Sequence, residues 1–155
     1  MRLGRASGYG LLAMMFVAEH SQSNDGAFPC AREIAHGTGV PVEYLRKILQ
    51  RLVRARLIRG ERGRTGGFAL ARSSSRVNVL QIVEAIEGPL DEQSFLHDEL
   101  TSRRRGNGHG RLWQLRRDAA ACLRDQFVHV SLAQIVGRHP EPATRRTART
   151  RSLPD

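Results

Sequence analysis

The sequence predicts a mainly α-helical protein that carries one small β-hairpin. Three observations support this fold class. Apolar residues recur at helical spacing in several separate segments of the chain. Glycines and prolines stand between these segments, where helices would have to end or begin. Residues 57–72 differ, because short strand-like runs there flank a glycine-rich turn. Together these signals predict a winged helix-turn-helix followed by a long C-terminal dimerisation helix.

The first helix is predicted over residues 1–20, and a run of turn formers at residues 21–26 follows it. Its beginning loosely resembles a signal peptide, since Arg2 and Arg5 precede an apolar run. No small-x-small cleavage site fits, however, and Glu19 follows the run directly. We therefore expect a cytoplasmic protein. The predicted buried face of this helix comprises Tyr9, Leu12, Ala13, Phe16 and Val17.

The next segment has the spacing of a helix-turn-helix. Pro29 suits the first turn of a second helix, predicted over residues 30–36, because a first-turn residue needs no partner for its N–H. The Gly-Thr-Gly run at residues 37–39 then ends this helix. Pro41 opens a third helix. The apolar positions of the third helix are Tyr44, Leu45, Ile48, Leu49 and Leu52.

A hairpin, the wing, and three further helices complete the predicted fold. The wing strands are predicted at residues 57–62 and 68–72, on either side of a turn at residues 63–67. Gly88-Pro89 ends the first of the later helices. The later helices are predicted at residues 79–87, 110–130 and 132–136.

These elements divide the chain into four parts. Residues 1–88 form the winged helix-turn-helix domain, and residues 89–109 form a loop with little periodicity. Residues 110–137 hold the dimerisation helix and the short last helix. Residues 138–155 consist largely of proline, threonine and arginine with almost no apolar residue, so a disordered basic tail is predicted there.

The charge is strongly positive and unevenly placed. The 155 residues carry a formal net charge of +10, and Lys47 is the only lysine. Residues 32–72 contain ten basic and three acidic residues, whereas residues 77–102 contain six acidic and no Lys or Arg residues. Arginine presents a planar fork that suits phosphates and guanine edges. Positive charge concentrated on the predicted helix-turn-helix and wing therefore indicates double-stranded DNA as the partner.

Each part of this predicted surface has its own expected contact with DNA. The N-terminal half of the third helix would enter the major groove, where Arg46 and Lys47 reach base edges. Arginines near its C-terminal end would meet phosphates, and the wing tip would approach the minor groove. The candidate DNA-binding residues are Pro41, Glu43, Tyr44, Arg46, Lys47, Arg51, Arg54, Arg56, Arg62, Arg64, Thr65, Gly66 and Gly67.

The long C-terminal helix carries an apolar stripe with a repeat of three and four residues. Such spacing suits packing against another helix, so we expect a homodimer formed through this helix. The candidate interface residues are Leu112, Trp113, Ala119, Leu123, Phe127 and Val130.

No residue pattern indicates catalysis or a metal site. Serine, histidine and aspartate residues are scattered without a nucleophile elbow, so an enzyme is not expected. His97, His109 and His129 could be considered as metal ligands, with Asp98 and Glu99 beside the first of them, but their spacing fits no compact zinc pattern. We therefore predict neither catalytic residues nor a bound metal.

The cysteine content indicates a reducing compartment. Cys30 and Cys122 are too few for a disulfide framework. Cys122 is expected to be a small buried residue of the long helix. Cys30 stands at a predicted helix N-terminus, where a thiolate would be stabilised, although inert packing is the favoured interpretation. No run of 18 apolar residues exists, so no membrane span is predicted.

Several segments resemble one family of bacterial regulators. They are the start Met1-Arg2-Leu3, the helix around Tyr9, residues 42–52 (VEYLRKILQRL), residues 62–70 (RGRTGGFAL) and residues 83–88 (VEAIEG). Over residues 1–137 the chain resembles the Rrf-two family of winged helix-turn-helix regulators, which includes the IscR, NsrR and CymR types. The resemblance implies a homodimeric transcriptional repressor or dual regulator that reads a palindromic operator.

Many members of that family hold an iron–sulfur cluster through three cysteines between the Glu-Gly block and the long helix. Here residues 89–112 contain no cysteine, and thiolates are the ligands that hold such clusters. The resemblance therefore implies a member with no cluster, and so with no cofactor, which responds to an unknown effector or protein partner.

Two alternatives stay open at this point. The winged helix could serve protein contacts, with the acidic residues 77–102 as the contact surface. The chain could also be a redox or nitrosative sensor with atypical cysteine and histidine ligation of a cluster. Preference for one operator sequence would separate a DNA-binding regulator from the first alternative. The brown colour of an anaerobically purified cluster protein would reveal the second.

Overall fold

A computed structural model describes residues 4–22, 28–63, 66–90 and 109–137, and its helices and antiparallel hairpin confirm the predicted fold class. The predicted basic tail and most of the predicted loop at residues 89–109 lie outside the described residues. No helix within those four ranges is long and apolar enough to cross a membrane. The elements in chain order are α1 (Arg5–Gln22), α2 (Ala31–Thr38), α3 (Val42–Arg54), β1 (Ile58–Gly60), β2 (Phe68–Leu70), a 3₁₀ turn (Ser74–Arg76), α4 (Val79–Glu87), α5 (His109–His129) and α6 (Leu132–Val136).

Helix α1 lies at the centre and contacts α2, α3, α4 and α6. Leu12, predicted for its buried face, is instead 42% exposed. It lies about 200° around the helix from Gly10 and Met14, which are buried, and so faces away from the core. The apolar residues buried on α1 are Ala13, Met14, Val17 and Ala18.

Helix α2 differs at both ends from the prediction. Pro29 lies before the helix rather than in its first turn, and Cys30 is the N-terminal capping residue. Gly37 does not end the helix, which continues for one more residue. A Cβ atom on Gly37 would stand 2.1 Å from the Phe16 ring, so this glycine permits close packing of α1 on α2. Gly39, at φ 69°, is the left-handed residue that ends the helix.

Helix α3 turns a continuous apolar face towards the core. Tyr44, which apolar spacing places on that face, is 42% exposed. It precedes Leu45 by one residue and therefore points about 100° away from it. Its ring packs edge-on against that of Tyr9 of α1, with 5.6 Å between the centroids. The residues buried on the inner face of α3 are Leu45, Ile48, Leu49 and Leu52.

The hairpin is fixed to the helix-turn-helix. Strands β1 and β2 pair antiparallel, with Ile58 opposite Leu70 and Gly60 opposite Phe68, and each strand has three residues, fewer than predicted. The N–H of Phe68 donates to the carbonyl of Pro29, just before α2, at 3.0 Å. This bond holds the wing beside α2.

The last helix completes the core of the N-terminal part. Leu132 of α6 is fully buried in the same apolar cluster as Met14 of α1. Two backbone hydrogen bonds join the parts: Val79 N–H to the Val130 carbonyl, 2.9 Å, and Leu132 N–H to the Val77 carbonyl, 2.7 Å. The predicted dimerisation segment thus shares its core with the predicted winged-helix domain. The division into domains at the intervening loop stays a prediction.

Helix α5 packs along α4. Arg124 of α5 forms an ion pair with Glu84 of α4, with 2.5 Å between Nη1 and Oε1. Ala120 is buried, and Phe127 packs against a second apolar cluster. The buried members of this second cluster are Val79, Leu80, Val83 and Leu90.

Candidate nucleic-acid interface

The outward face of α3 is exposed and predominantly basic. The apolar inner face of this helix is buried, so the polar side chains on the opposite face of α3 point to solvent. Arg46 forms an exposed ion pair with Glu43, with 3.1 Å between Nη1 and Oε1. Lys47 and Arg54 are also exposed on this helix. Three cations and one anion on one helix face favour binding to a polyanion.

The first turn of α3 is where the sequence placed the base-reading end of the helix. Pro41 is the N-terminal capping residue, and its carbonyl accepts the Leu45 N–H at 2.9 Å. Glu43 and Tyr44 follow it, and all three predicted residues are exposed. These three residues are therefore accessible to solvent at the start of α3.

A groove of about 330 Å³ runs between α3 and the first residue of β2. Two of its lining residues, Arg46 and Arg54, are predicted DNA-binding residues, whereas Gln50 and Val53 are absent from that prediction. Gln50 follows Arg46 by four residues, the spacing of one helical turn, and this spacing could have identified it. An amide can pair with an adenine edge, and an apolar side chain can contact the thymine methyl group. The lining residues are Arg46, Leu49, Gln50, Val53, Arg54 and Phe68.

Arg51, which the sequence assigned to a phosphate contact, is directed at another helix. Its Nη1 donates a half-buried hydrogen bond to the carbonyl of Ile86 in the last turn of α4. Arg54, three residues later, makes no such contact with α4 among the described residues and lines the groove instead. The two arginines therefore have different surroundings despite their identical chemistry.

Arg56 closes the C-terminal end of α3. Its N–H bonds to the Val53 carbonyl at 2.9 Å, and the N–H of Leu57 bonds to the Leu52 carbonyl at 3.0 Å. These two bonds define a Schellman motif, which needs a left-handed residue. Arg56 takes that conformation with φ 56° and is the one non-glycine residue with positive φ in the described chain. Arg56 is exposed and lies just beyond the last turn of α3.

The wing glycines have a structural reason of their own. Gly66 and Gly67 were predicted at the DNA surface together with Arg62, which is exposed. A Cβ atom on Gly67 would stand 2.2 Å from the Phe28 carbonyl oxygen, and one on Gly66 would stand 2.4 Å from the Glu61 carbonyl oxygen. Both positions thus require glycine for backbone packing. Arg64 and Thr65, the other predicted residues of the wing tip, lie outside the described residues.

The start of α2 is stabilised by a carboxylate. The backbone N–H of Cys30 donates to Oε2 of Glu33 at 2.7 Å. This hydrogen bond, followed by one from the Cys30 thiol, lowers the pKa of Glu33 below its usual 4.5. The carboxylate therefore stays ionised at neutral pH, and its negative charge interacts favourably with the positive N-terminal end of the α2 dipole.

The cysteine and histidine residues do not form a metal site in the described ranges. Cys30 is half-buried at the start of α2, whereas Cys122, expected to be buried, is exposed on α5. No group of three histidine, cysteine or acidic side chains is gathered there. His129 pairs with Asp125 one turn away at 3.3 Å. His97 and its acidic neighbours lie outside the described residues, as does the side chain of His109.

The predicted dimer residues occupy more than one face of α5. Phe127 packs against its own chain, and Ala119 and Leu123 are half-buried. Trp113 is 39% exposed and Val130 is 37% exposed. The side chain of Leu112 lies outside the described residues. Leu115 and Val128, which the stripe omitted, are 65% and 42% exposed. The role of these residues in a dimer stays a prediction.

Comparison with known proteins gives relatives for slightly more than half of the chain. IscR of Xenorhabdus nematophila, an HTH-type transcriptional regulator, is 34% identical over 91 residues, which cover 59% of this chain and 54% of that protein. IscR of Photobacterium profundum is also 34% identical over 91 residues, covering 59% of this chain and 51% of that protein. The chain spans about half the length of the curated relatives it matches.

Solved structures and a protein family extend the likeness along the chain. CymR, the global cysteine regulator of B. subtilis, has a TM-score of 0.67 at 18% identity and covers 88% of this chain and 97% of its own. IscR of T. potens has a TM-score of 0.67 at 20% identity, covering 88% and 87%. At these identities the likeness shows the fold. The family described as "Rrf2: Iron-dependent Transcriptional regulator" matches residues 3–138. The chain therefore belongs to the Rrf2 family of transcriptional regulators.

Proposed function

We propose that this chain is a sequence-specific DNA-binding repressor of transcription that acts as a homodimer on a palindromic operator. The observation that carries the proposal is the outward face of α3, where Arg46, Lys47 and Arg54 stand on a helix whose opposite face is fully buried. A rigidly packed helix that displays cations is the form that enters a major groove. Membership of a family of transcriptional regulators supports the same function.

Base recognition and phosphate binding are assigned to opposite ends of α3. Arg46 and Lys47 lie in its first half and contact base edges, which carry sequence information. Arg54 and Arg56 lie at its end and contact phosphates, which position the helix without specifying sequence. The ion pair between Arg46 and Glu43 must open for Arg46 to reach a base. Because the pair is exposed, opening it costs only about 0–1 kcal/mol.

Alanine variants test this assignment. Arg46→Ala or Lys47→Ala should lose discrimination between operator and scrambled DNA, on the order of 1–3 kcal/mol for one base contact. Arg54→Ala or Arg56→Ala should weaken binding to both duplexes. Each should also lower the salt slope, the steepness with which log affinity falls against log salt concentration, by about one. Affinities would be measured at several salt concentrations, on an operator selected from genomic fragments and on a scrambled duplex of equal length. If the changes at 54 and 56 alter base preference while those at 46 and 47 do not, α3 enters the groove in the opposite direction.

The repressor assignment has its own test. Transcription from a promoter that overlaps the selected operator should fall when the protein is added, because the bound dimer would occupy the promoter. A matched promoter without the operator serves as the control and should be unaffected. A rise in transcript from the operator-bearing promoter would make the protein an activator.

Apolar side chains on α5 support the homodimer. Leu115 is 65% exposed and Val128 is 42% exposed in the single chain. A two-fold partner that covered such residues would give the dimer two copies of α3. To enter successive major grooves on one face of the duplex, the two copies must stand about 34–36 Å apart. The two-fold symmetry of the protein would then match a palindromic operator.

The family is described as iron-dependent, but the thiols of this chain do not fit an iron–sulfur cluster. The two thiols of the chain lie at the N-terminal cap of α2 and on α5, and residues 89–112 contain none. Because thiolates hold such clusters, we propose that this member works without one. Anaerobically purified protein should contain no stoichiometric iron or acid-labile sulfide, and an iron chelator should leave its DNA affinity unchanged. About two or more irons per chain would overturn this assignment.

A further inference from the structure

We propose that Arg51 is a positioning residue that sets the orientation of α3, the helix proposed to contact base edges. We also propose that Arg51 makes no contact with DNA phosphate. The inference rests on the proposed DNA-binding function, because it concerns which arginines of α3 act on DNA directly. It goes beyond that function by assigning a role in specificity to a residue whose guanidinium group is hydrogen-bonded to another helix.

The acceptor of the Arg51 hydrogen bond is a helix-terminal carbonyl. Helix α4 ends at Glu87, so the carbonyl of Ile86 lacks a partner within its own helix. Nη1 of Arg51 supplies that partner, and a cation at this end of α4 also interacts favourably with the helix dipole. The side chain of Ile86 is 3% exposed and packs so closely on α1 that a Cβ atom on Gly10 would stand 1.9 Å from its Cδ1. The carbonyl therefore belongs to a fixed part of the core.

The last turn of α4 is held from two further sides. The hydroxyl of Ser7 in α1 donates to Oε1 of Glu87 at 2.6 Å, and Ser7 is fully buried. On the other side Glu84 accepts both Arg124 of α5, at 2.5 Å, and the N–H of Leu90, at 3.2 Å. Contacts from α1 and α5 thus fix the last turn of α4, to which Arg51 is hydrogen-bonded. Because Arg51 belongs to α3, its hydrogen bond orients α3 relative to that fixed turn.

Base reading depends on helix orientation more than phosphate contact does. A bidentate contact to a base edge requires donor–acceptor distances near 3 Å and nearly linear geometry for two bonds at once. Phosphate contacts act largely through charge and tolerate larger displacements. Loss of the Arg51 hydrogen bond should therefore reduce discrimination between DNA sequences and leave the sequence-independent affinity for DNA unchanged.

The test compares Arg51→Met with Arg54→Met. Methionine keeps an apolar stem and removes the donor and the charge at either position, and Arg54 faces the groove rather than α4. For Arg51→Met we expect operator affinity to fall on the order of tenfold, the scale of one lost base contact. Affinity for scrambled DNA and the salt slope should stay unchanged. For Arg54→Met both affinities should fall, and the salt slope should drop by about one.

Two results would overturn the inference. If Arg51→Met lowers both affinities and the salt slope, Arg51 is a phosphate contact. If it lowers only the thermal midpoint and leaves operator affinity unchanged, its hydrogen bond has no influence on base recognition.

The conservative pair Arg51→Lys and Arg54→Lys replaces the methionine pair if Arg51→Met does not fold. Lysine can still donate to the Ile86 carbonyl, so Arg51→Lys should retain part of the discrimination. Equal affinity of the unaltered protein for operator and scrambled DNA would instead refute the proposed function itself.

Discussion

Arg56 holds a backbone conformation that costs stability, and this cost can be measured. Arg56→Gly should raise the free energy of unfolding by up to about 1.5 kcal/mol. The substitution relieves about 1–2 kcal/mol of left-handed strain, and the freer unfolded chain cancels about 0.5–1 kcal/mol of this gain. Urea denaturation gives the difference. Arg56→Ala is the control, because it removes the guanidinium and keeps the Cβ atom. If alanine stabilises the protein as much as glycine does, the unfavourable group is the charge rather than the backbone.

For single residues, the sequence shows which side chains have the chemistry to bind DNA, but it does not show what surrounds each of them in the fold. Arg51 and Arg54 have the same chemistry and lie three positions apart, so pattern alone assigned both to phosphates. The partner that separates them, the Ile86 carbonyl, lies 35 positions along the chain from Arg51. Tyr44 shows the same limitation, because its apolar character suited the core while its angular position around α3 exposes it. Local spacing contains neither of these facts.

Close backbone contact at the wing glycines can be tested at Gly67. Gly67→Ala should lower the free energy of unfolding by about 1–3 kcal/mol, the range for overpacking, since its Cβ would stand 2.2 Å from a carbonyl oxygen that cannot rotate away. Gly60→Ala, in the facing strand, is the matched control. Nothing lies within 4 Å of its Cβ position, so we expect a change within about 0.5 kcal/mol. Thermal unfolding of both variants makes the comparison. Equal effects would show that space at Gly67 does not limit the wing.

Element bounds could be predicted where the end signals are local. The bounds of α4 and α6 agree with the prediction, and each helix begins with a capping box, at Asn78 and at Ser131. The end of α2 could not be predicted in this way. Gly37 looks like a stop signal in the sequence, yet its role is to admit the Phe16 ring of another helix. A glycine needed for tertiary packing and one needed for a turn are identical in sequence.

The whole molecule is expected to dimerise through α5, and one buried charge should prevent this. Leu123→Glu places a carboxylate at a half-buried position of the predicted interface, where an unpaired charge costs several kcal/mol. We expect sedimentation to show monomers and operator affinity to fall. Ala121→Glu adds the same charge at an exposed position between Asp118 and Asp125 and should leave the dimer intact. A Leu123→Glu protein that remains dimeric with full operator affinity would place the interface elsewhere.

The burial of Leu132 in the same apolar cluster as Met14 has a consequence for the order of folding. More than a hundred residues separate the two positions, so the packing of α6 on α1 closes a very long loop. The entropic cost of such closure must be met before the contact contributes any stability. The hairpin and the helix-turn-helix are built from neighbours in sequence and can form earlier. We therefore expect α6 to dock after the rate-limiting step, and shortening of Leu132 to accelerate unfolding while the refolding rate stays nearly the same.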